Sequence, residues 1–368
     1  MRNFLNSKIC AKFSPNFKNS ECSYYQYAED SNMNQKDWEC GYCKFPGAYR
    51  CVADVTRPIP LSHSSSGDFL TCHYLYYLKK ILGIEKRPQF LGVPLKAGKL
   101  WDSVKQRHLG EKINIKDIIN EYEIDDITVA KVRAIYKAYK ELEIQVHPDY
   151  QLQAKIDLKY DIVVPPSSFI PSVTMGKEII NLWQESSKQS EDERTWKFPL
   201  SVTGFYDRKY SNYFCEDKLS GRPEFYLDPF FIQSQNSTYF LGDPNLEFCV
   251  MEVVQMPQQK ELKKGESPEE LGVRVYGDIL SRPSKYFIGF DREKRMYGKK
   301  FYRGEFNLEV IENMYKQMTI ELLAARWSGN FYKNFRACNN ILPGIQCEFQ
   351  DVCRTGNVSE TKYKVRER

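Results

Sequence analysis

Histidine is scarce in this sequence, with four in 368 residues, and they lie too far apart to form the clustered imidazoles of a zinc hydrolase centre. No G-x-x-x-x-G-K-[ST] phosphate loop occurs, so the chain should carry no nucleotide-driven motor of its own. No stretch approaches the roughly 20 consecutive apolar residues that cross a bilayer. The opening MRNFLNSKICAKF also lacks the apolar h-region of a secretory signal. The expectation is a cytoplasmic protein with no membrane partner. Charge of one sign is not in excess either: a net +5 with 27% charged residues permits a polyanionic partner without requiring one. There is no internal repeat.

What is present is length and cysteine. A chain of 368 residues with 42% hydrophobic residues buries a substantial core and suggests two or three domains, or one elaborated domain. Eleven cysteines are an odd number, with five before residue 55 and three after 335. That distribution suits metal ligation in a reducing compartment better than a disulfide framework. Residues 1–60 are rich in Cys, Asn and Tyr and poor in periodic hydrophobics, as in a small module held by something other than a core, and Pro58 and Pro60 mark its end. Within it Cys40-x-x-Cys43 and Cys51, with Cys22 or Cys10 as fourth ligand and Cys22 favoured, make a candidate tetrathiolate zinc site, because C-x-x-C bends the chain over one ion.

Beyond residue 60 the hydrophobic spacing predicts an amphipathic helix from a Ser-rich cap at 62–66 to Gly83, then helices over 96–107, 114–122 and 126–143. QLQAKIDLKYDIVV reads as a strand stopped by Pro165-Pro166, and residues 165–196 as an insertion with a short helix near 177–188. Residues 198–221 supply two strands, Asp228-Pro229 starts a helix, and EFCVMEVVQMP is an apolar strand suited to a sheet interior. Residues 258–270 read as a surface loop, and 307–327 as a long helix ending near Gly329. The order is helix, three strands, helix, strand.

In GFYDRKYSNYFCEDKLSGRPEFY, residues 204–226, Ser211-Asn212 looks like the turn of a hairpin. Side chains alternate along a strand, so Glu216 and Lys218 share one face and Asp217 points to the other. If the segments pair, Asp207, Glu216 and Lys218 converge. Two carboxylates and an ammonium are what metal-assisted phosphodiester hydrolysis needs: ligands for Mg²⁺ or Mn²⁺, and a positive group to orient water or neutralise developing charge. The same three residues at this spacing also describe ordinary salt-bridged surface hairpins.

The surrounding residues decide between these. Gly204-x-x-Asp207, Glu216-Asp217-Lys218 and Gln235-x-x-x-Tyr239 resemble the PD-(D/E)xK nuclease superfamily, particularly its RecB-like branch. The resemblance covers roughly residues 60–355. It implies an α/β restriction-endonuclease-like core in the order α-β-β-β-α-β, with a mixed central sheet flanked by helices. It also implies that Asp207 and Glu216 bind Mg²⁺ or Mn²⁺, assisted by the carbonyl of Asp217, that Lys218 helps activate water, and that Gln235 and Tyr239 contact the strand or support the site. A further metal ligand usually sits on the leading helix, a His four residues after a Gly; here Asp102 follows Gly98 at that spacing, and Asp serves a hard cation through oxygen. Asp157-Leu158-Lys159 also spells D-x-K but lacks both flanking motifs, and is assigned to the first strand.

One cysteine upstream, Cys72, and three near the C-terminus, Cys338, Cys347 and Cys353, resemble the iron-sulfur nucleases of this superfamily, such as the CRISPR-associated exonucleases. The resemblance implies that these four thiolates hold a [4Fe-4S] cluster as a structural clasp, with zinc on the same thiolates as the alternative. Eight residues rather than the usual two separate Cys338 from Cys347. The implied division is a Cys-rich module over 1–60, a nuclease core over 61–335, and a C-terminal cysteine cluster over 336–368 closing onto the Cys72 helix. Cys215 and Cys249 read as core residues, and His73 as a helix-surface residue. Basic and aromatic residues interleave over 285–306, where Arg292, Lys294, Arg295, Lys299, Lys300 and Arg303 are candidate phosphate contacts, as are Lys209 and Arg222. The resulting expectation is a metal-dependent DNA nuclease of a phage or bacterium, acting on single-stranded or end-containing DNA in recombination or repair. Recombination or replication proteins and a second copy of the chain are further partners to consider. The alternatives are a non-catalytic DNA-binding subunit with the same fold and a zinc-only nucleic-acid-binding protein.

Overall fold

The computed structural model describes residues 59–164, 196–259, 265–328, 331–339 and 347–365. Cys10, Cys22, Cys40, Cys43 and Cys51, and the helix expected near 177–188, lie outside the described residues. In chain order the elements are β1 (Ile59–Leu61), α1 (His63–Thr71), α2 (His73–Tyr76), β2 (Ile84–Lys86), α3 (Val93–His108), α4 (Ile115–Tyr122), α5 (Asp126–Glu141), β3 (Gln151–Leu152), β4 (Lys155–Val164), β5 (Trp196–Phe205), β6 (Arg208–Lys209), β7 (Tyr213–Ser220), α6 (Pro229–Gly242), β8 (Phe248–Gln255), α7 (Pro268–Ser281), α8 (Pro283–Tyr286), β9 (Lys299–Tyr302), α9 (Leu308–Ser328), α10 (Phe335–Asn339), α11 (Gln350–Thr355) and β10 (Tyr363–Val365). They form two compact units. One comprises Arg87–Ile156 and Gly204–Glu312; the other comprises Met1–Lys86, Asp157–Thr203 and Asn313–Arg368.

The first of these units is built on a five-stranded mixed sheet in the order β3-β6-β7-β8-β9. β7 and β8 run parallel, with Glu216 opposite Met251 and Lys218 opposite Val253, and the other pairs are antiparallel. A parallel pair needs a crossover, and α6 supplies it. Its start is fixed locally: the Asp228 carboxylate accepts the Phe230 N–H at 2.9 Å, and Pro229, which has no N–H to leave unpaired, occupies the first turn. A capping box between Ser267 and Glu270 opens α7 in the same way. The apolar core gathers Trp101, Ile135, Tyr139, Val254, Val275 and Phe287, all fully enclosed, from α3, α5, α7, the sheet and the residue after α8. Gly242 ends α6 where the chain is tight, since a Cβ there would lie 2.6 Å from Ile156 Cγ2.

The hairpin forms. Arg208 pairs with Cys215 and Lys209 with Phe214, and the Tyr210 N–H donates to the Tyr213 carbonyl at 2.8 Å around Ser211-Asn212. The single central sheet does not. β4 and β5 belong to a three-stranded sheet with β1, in the order β1-β5-β4, and β1 lies parallel to β5. The chain changes partner at Tyr206, whose N–H bonds the Ala154 carbonyl at 3.0 Å, so only β6 enters the five-stranded sheet. Asp157 and Lys159 sit on β4 as an exposed pair 3.6 Å apart, as a first strand of no special chemistry would place them.

The other unit also holds a small apolar core of Leu75, Leu78, Ile84, Phe349, Val352 and Tyr363 with three of the cysteines, and β2 pairs antiparallel with β10. The helix expected to run unbroken to Gly83 is interrupted. Cys72 is extended, at φ −165° and ψ 117°, between α1 and α2. The Tyr74 N–H, which a continuous helix would direct to a carbonyl one turn back, bonds Tyr332 at 3.1 Å. His73 is not a surface residue, because its ring is sandwiched 3.8 Å from both Phe69 and Tyr332. No helix of the described residues is long and apolar enough to cross a membrane.

Candidate active site

Strand alternation does the first work. Glu216 and Lys218 leave β7 on one face, and the Lys218 ammonium donates to Glu216 Oε2 at 2.8 Å. Helix α6 covers that face, and Gln235 Nε2 donates to the same oxygen at 2.8 Å and to the Tyr239 hydroxyl at 3.0 Å. Tyr239 in turn donates to the Phe205 carbonyl at 2.9 Å, tying the helix to the start of the hairpin. One turn of helix separates Gln235 from Tyr239, so both reach the same strand face. Asp207 precedes β6, and its Oδ2 accepts the backbone N–H of Asp217 at 2.9 Å. The structure therefore brings Asp207, Glu216, Lys218, Gln235 and Tyr239 together. Asp102 on α3 lies close enough to feel the charges of Asp207, Lys218 and Asp217.

The electrostatics are unbalanced. Burial, reinforced by Asp207, pushes Glu216 up to about 8, and burial with Asp207 pushes Asp102 up to about 7. Asp207 is also raised, chiefly by burial, with Lys218 opposing. Burial disfavours the Lys218 charge, but Glu216 and Asp207 beside it outweigh that and raise it well above its ordinary range. It stays an ammonium, with 22% of its side chain exposed. Three carboxyl groups thus share Lys218, with Lys99 also acting on Asp102 and Arg208 on Asp207. Glu216 Oε1, buried, has no hydrogen-bond partner among the described residues.

Among the described residues no three His, Cys, Asp or Glu side chains are already disposed to hold a metal ion. The donor chemistry nonetheless fits a hard divalent cation: oxygen ligands only, an orphaned buried carboxylate oxygen, and acids whose charge is under-compensated. Asp102, Asp207 and Glu216 are the residues that would hold it.

Asp217 faces the other way. Its carboxylate meets Arg208 at 3.3 Å and Lys105 at 3.2 Å. Glu252 on β8 joins them, 2.7 Å from Arg208 and 3.2 Å from Lys105. All four side chains are buried. Burial works against the Asp217 charge, but Arg208 and Lys105 overcome it and hold the carboxyl at about 2. Sequence reasoning missed this cluster. The signal was a lone acid inside the apolar run FCVMEVVQ, which a buried strand tolerates only with a partner.

Most of the basic stretch is committed to the fold. Arg303 donates to the carbonyls of Phe240, Asp243 and Leu246 at 2.8–3.4 Å, capping the end of α6. Lys299 bonds the Leu227 carbonyl at 2.8 Å, Lys300 sits 3.5 Å over the Phe248 ring, Arg295 pairs with Glu143, and Lys294 with Asp291. Lys209 pairs with Asp243 at 2.6 Å. Arg222 is exposed beyond β7. Of the six residues named over 285–306, only Arg292 pairs with no described residue.

The four outlying cysteines line one cavity of about 10 Å³ with Leu75, Leu78 and Phe349. The break at Cys72 turns its Sγ to accept the Asn334 N–H at 3.3 Å, and the Cys347 N–H bonds the Cys338 carbonyl at 2.9 Å. Burial first, with neighbouring thiols, pushes Cys347 up to about 11 and Cys353 up to about 12. The described cysteines are free thiols. Four sulfur donors in an apolar pocket fit a thiophilic centre. Cys215 and Cys249 are buried in β7 and β8.

No protein-family model matches the chain, and no curated protein matches its sequence.

Proposed function

We propose that this chain is a metal-dependent DNA nuclease with a restriction-endonuclease-like core, similar to the RecB-like branch of the PD-(D/E)xK superfamily. One observation carries the reading: a turn-linked hairpin and the helix after it join Glu216, Lys218, Gln235 and Tyr239 in one bonded chain beside Asp207. Asp102, Asp207 and Glu216 hold Mg²⁺ or Mn²⁺; when bound, the cation supplies an activated water and charge for the phosphoryl oxygens. Gln235 fixes the Glu216 carboxylate in one orientation, and Tyr239 fixes Gln235. The Lys218 ammonium, partly open to solvent, neutralises the negative charge that grows as water adds to phosphorus and the P–O ester bond breaks. Cys72, Cys338, Cys347 and Cys353 hold a [4Fe-4S] cluster that ties the C-terminal segment to α1 and α2. The substrate is single-stranded or end-containing DNA in the cytoplasm of a phage-infected or bacterial cell.

The test is anaerobic purification followed by a Mn²⁺ assay on end-labelled single- and double-stranded DNA. Lys218→Ala is expected to lower cleavage by about a hundredfold or more while leaving DNA binding intact. Cleavage at the wild-type rate removes Lys218 from the mechanism, and binding without cleavage by the unaltered protein favours a non-catalytic DNA-binding subunit.

A further inference from the structure

The C-terminal ends of β7 and β8 open onto a groove outside the site described above. Ser220 and Gln255 are register partners, two residues beyond Lys218 and Val253. They therefore lie on the Lys218 face of the sheet, roughly 7 Å further along it. The loop beyond is pinned by the Met256 N–H to the Ser220 carbonyl at 2.8 Å and by Gln258 to the Gly221 carbonyl at 3.4 Å. From Gln255 a groove of about 280 Å³ runs past Gln258 and Gln259 to Lys285. Lys285 also lines a second groove of about 340 Å³, shared with Arg282, Arg292, Ser284 and Phe290.

The charge along this path is one-sided. Arg282, Lys285 and Arg292 are all exposed. Asp278 accepts from Arg282, Tyr286 and Gln259, and Asp291 pairs with Lys294 at 3.4 Å. Lys285 and Arg292 form no ion pair with a described residue. The amide nitrogens of Gln258 and Gln259 are already engaged, with the Gly221 and Met256 carbonyls and with Asp278 and Tyr286, and Phe290 offers an aromatic ring among the cations. A positive track with an aromatic ring suits one flexible phosphodiester strand.

We infer that this groove binds the sugar-phosphate backbone of a single nucleic-acid strand on its way to or from Lys218. The inference rests on the nuclease reading for its direction, not for the binding itself. The probe is a fluorescein-labelled oligothymidylate of about 20 nucleotides, titrated by anisotropy in EDTA over a range of salt, which needs no cleavage. Lys285→Ala/Arg292→Ala is expected to weaken binding about tenfold and to flatten the logarithmic salt slope by roughly 1.4, about 0.7 per lost phosphate contact. Lys285→Arg/Arg292→Lys, which keeps both charges, should retain the slope. An unchanged affinity and slope in the alanine variant overturns the groove even if wild-type protein cleaves DNA with Mn²⁺. Loss of slope in a protein that never cleaves leaves the groove standing and removes the nuclease reading. A larger loss on duplex than on the oligothymidylate overturns the single-strand assignment.

Discussion

Lys105→Met tests whether the buried charges behind β7 are a balanced set. The Lys105 ammonium is 3.2 Å from Asp217 and 3.2 Å from Glu252, and only 1% of the residue is exposed. At an effective dielectric near 20 each contact is worth about 5 kcal/mol gross, so removing the ammonium forfeits roughly 10 kcal/mol. Burying a lysine costs several kcal/mol in desolvation, which the substitution recovers. The net expectation is a loss of about 3–5 kcal/mol, the usual cost of breaking a buried pair from one side, because Asp217 and Glu252 must then share Arg208 alone. Urea unfolding at pH 7 measures it. The pH dependence has a sign: Asp217 is held near 2, so its contribution is present above about pH 4 and is lost as pH falls through 2. In the variant that carboxyl protonates sooner, so the deficit is full at pH 7 and shrinks towards pH 3. Lys105→Met/Glu252→Gln restores one acid to one base and should recover at least half the loss. A single substitution costing under about 1 kcal/mol, or a double variant no more stable than the single, would refute the balance argument.

Mn²⁺ affinity should fall more than about tenfold between pH 8.5 and 6.5, because Glu216 and Asp102, pushed up to about 8 and about 7, must lose protons to ligate; isothermal titration reads it, and a flat profile counts against both residues as ligands. The same raised carboxyl makes the metal-free fold less stable as pH rises from about 4.5 to 8, and Glu216→Gln should flatten that slope. Cys347→Ser should bleach absorbance near 400 nm in anaerobically purified protein, and an unchanged spectrum removes Cys347 as a ligand. Gly242→Ala, which sets a Cβ 2.6 Å from Ile156 Cγ2, should cost about 1–3 kcal/mol by overpacking, read as a lowered urea midpoint.

The parts legible in the sequence are those set by neighbours along the chain. Period 3.6 located α3, α4 and α5, Asp228-Pro229 located the start of α6, the Ser211-Asn212 turn located the hairpin, and alternation placed Glu216 and Lys218 on the face opposite Asp217. Sheet membership was not legible, because the partner of β5 is β1, well over a hundred residues away, and no local signal names it. The break at Cys72 was hidden for the same reason, since the hydrophobic spacing continues through it while the bonds that end the helix come from Tyr332 and Asn334. Charges misled most. Arg303 and Lys299 look like phosphate contacts in sequence, yet each also bonds carbonyls, at a helix end and a turn. Lys105, near the end of α3, looks like a solvated helix terminus and is among the most enclosed side chains in its unit.

The unit that holds Cys72, Cys338, Cys347 and Cys353 is assembled from stretches far apart along the chain. During synthesis Cys72 leaves the ribosome about 275 residues before Cys347, a wait of roughly 15 to 55 seconds at ordinary translation speeds. Throughout that interval its apolar neighbours Leu75 and Leu78 have no Phe349 or Val352 to pack against. A nascent chain stalled after α7 already contains most of the five-stranded sheet while three of the four thiols of the pocket are still to be made, so this protein should draw on chaperones in the interval between Cys72 and Cys347.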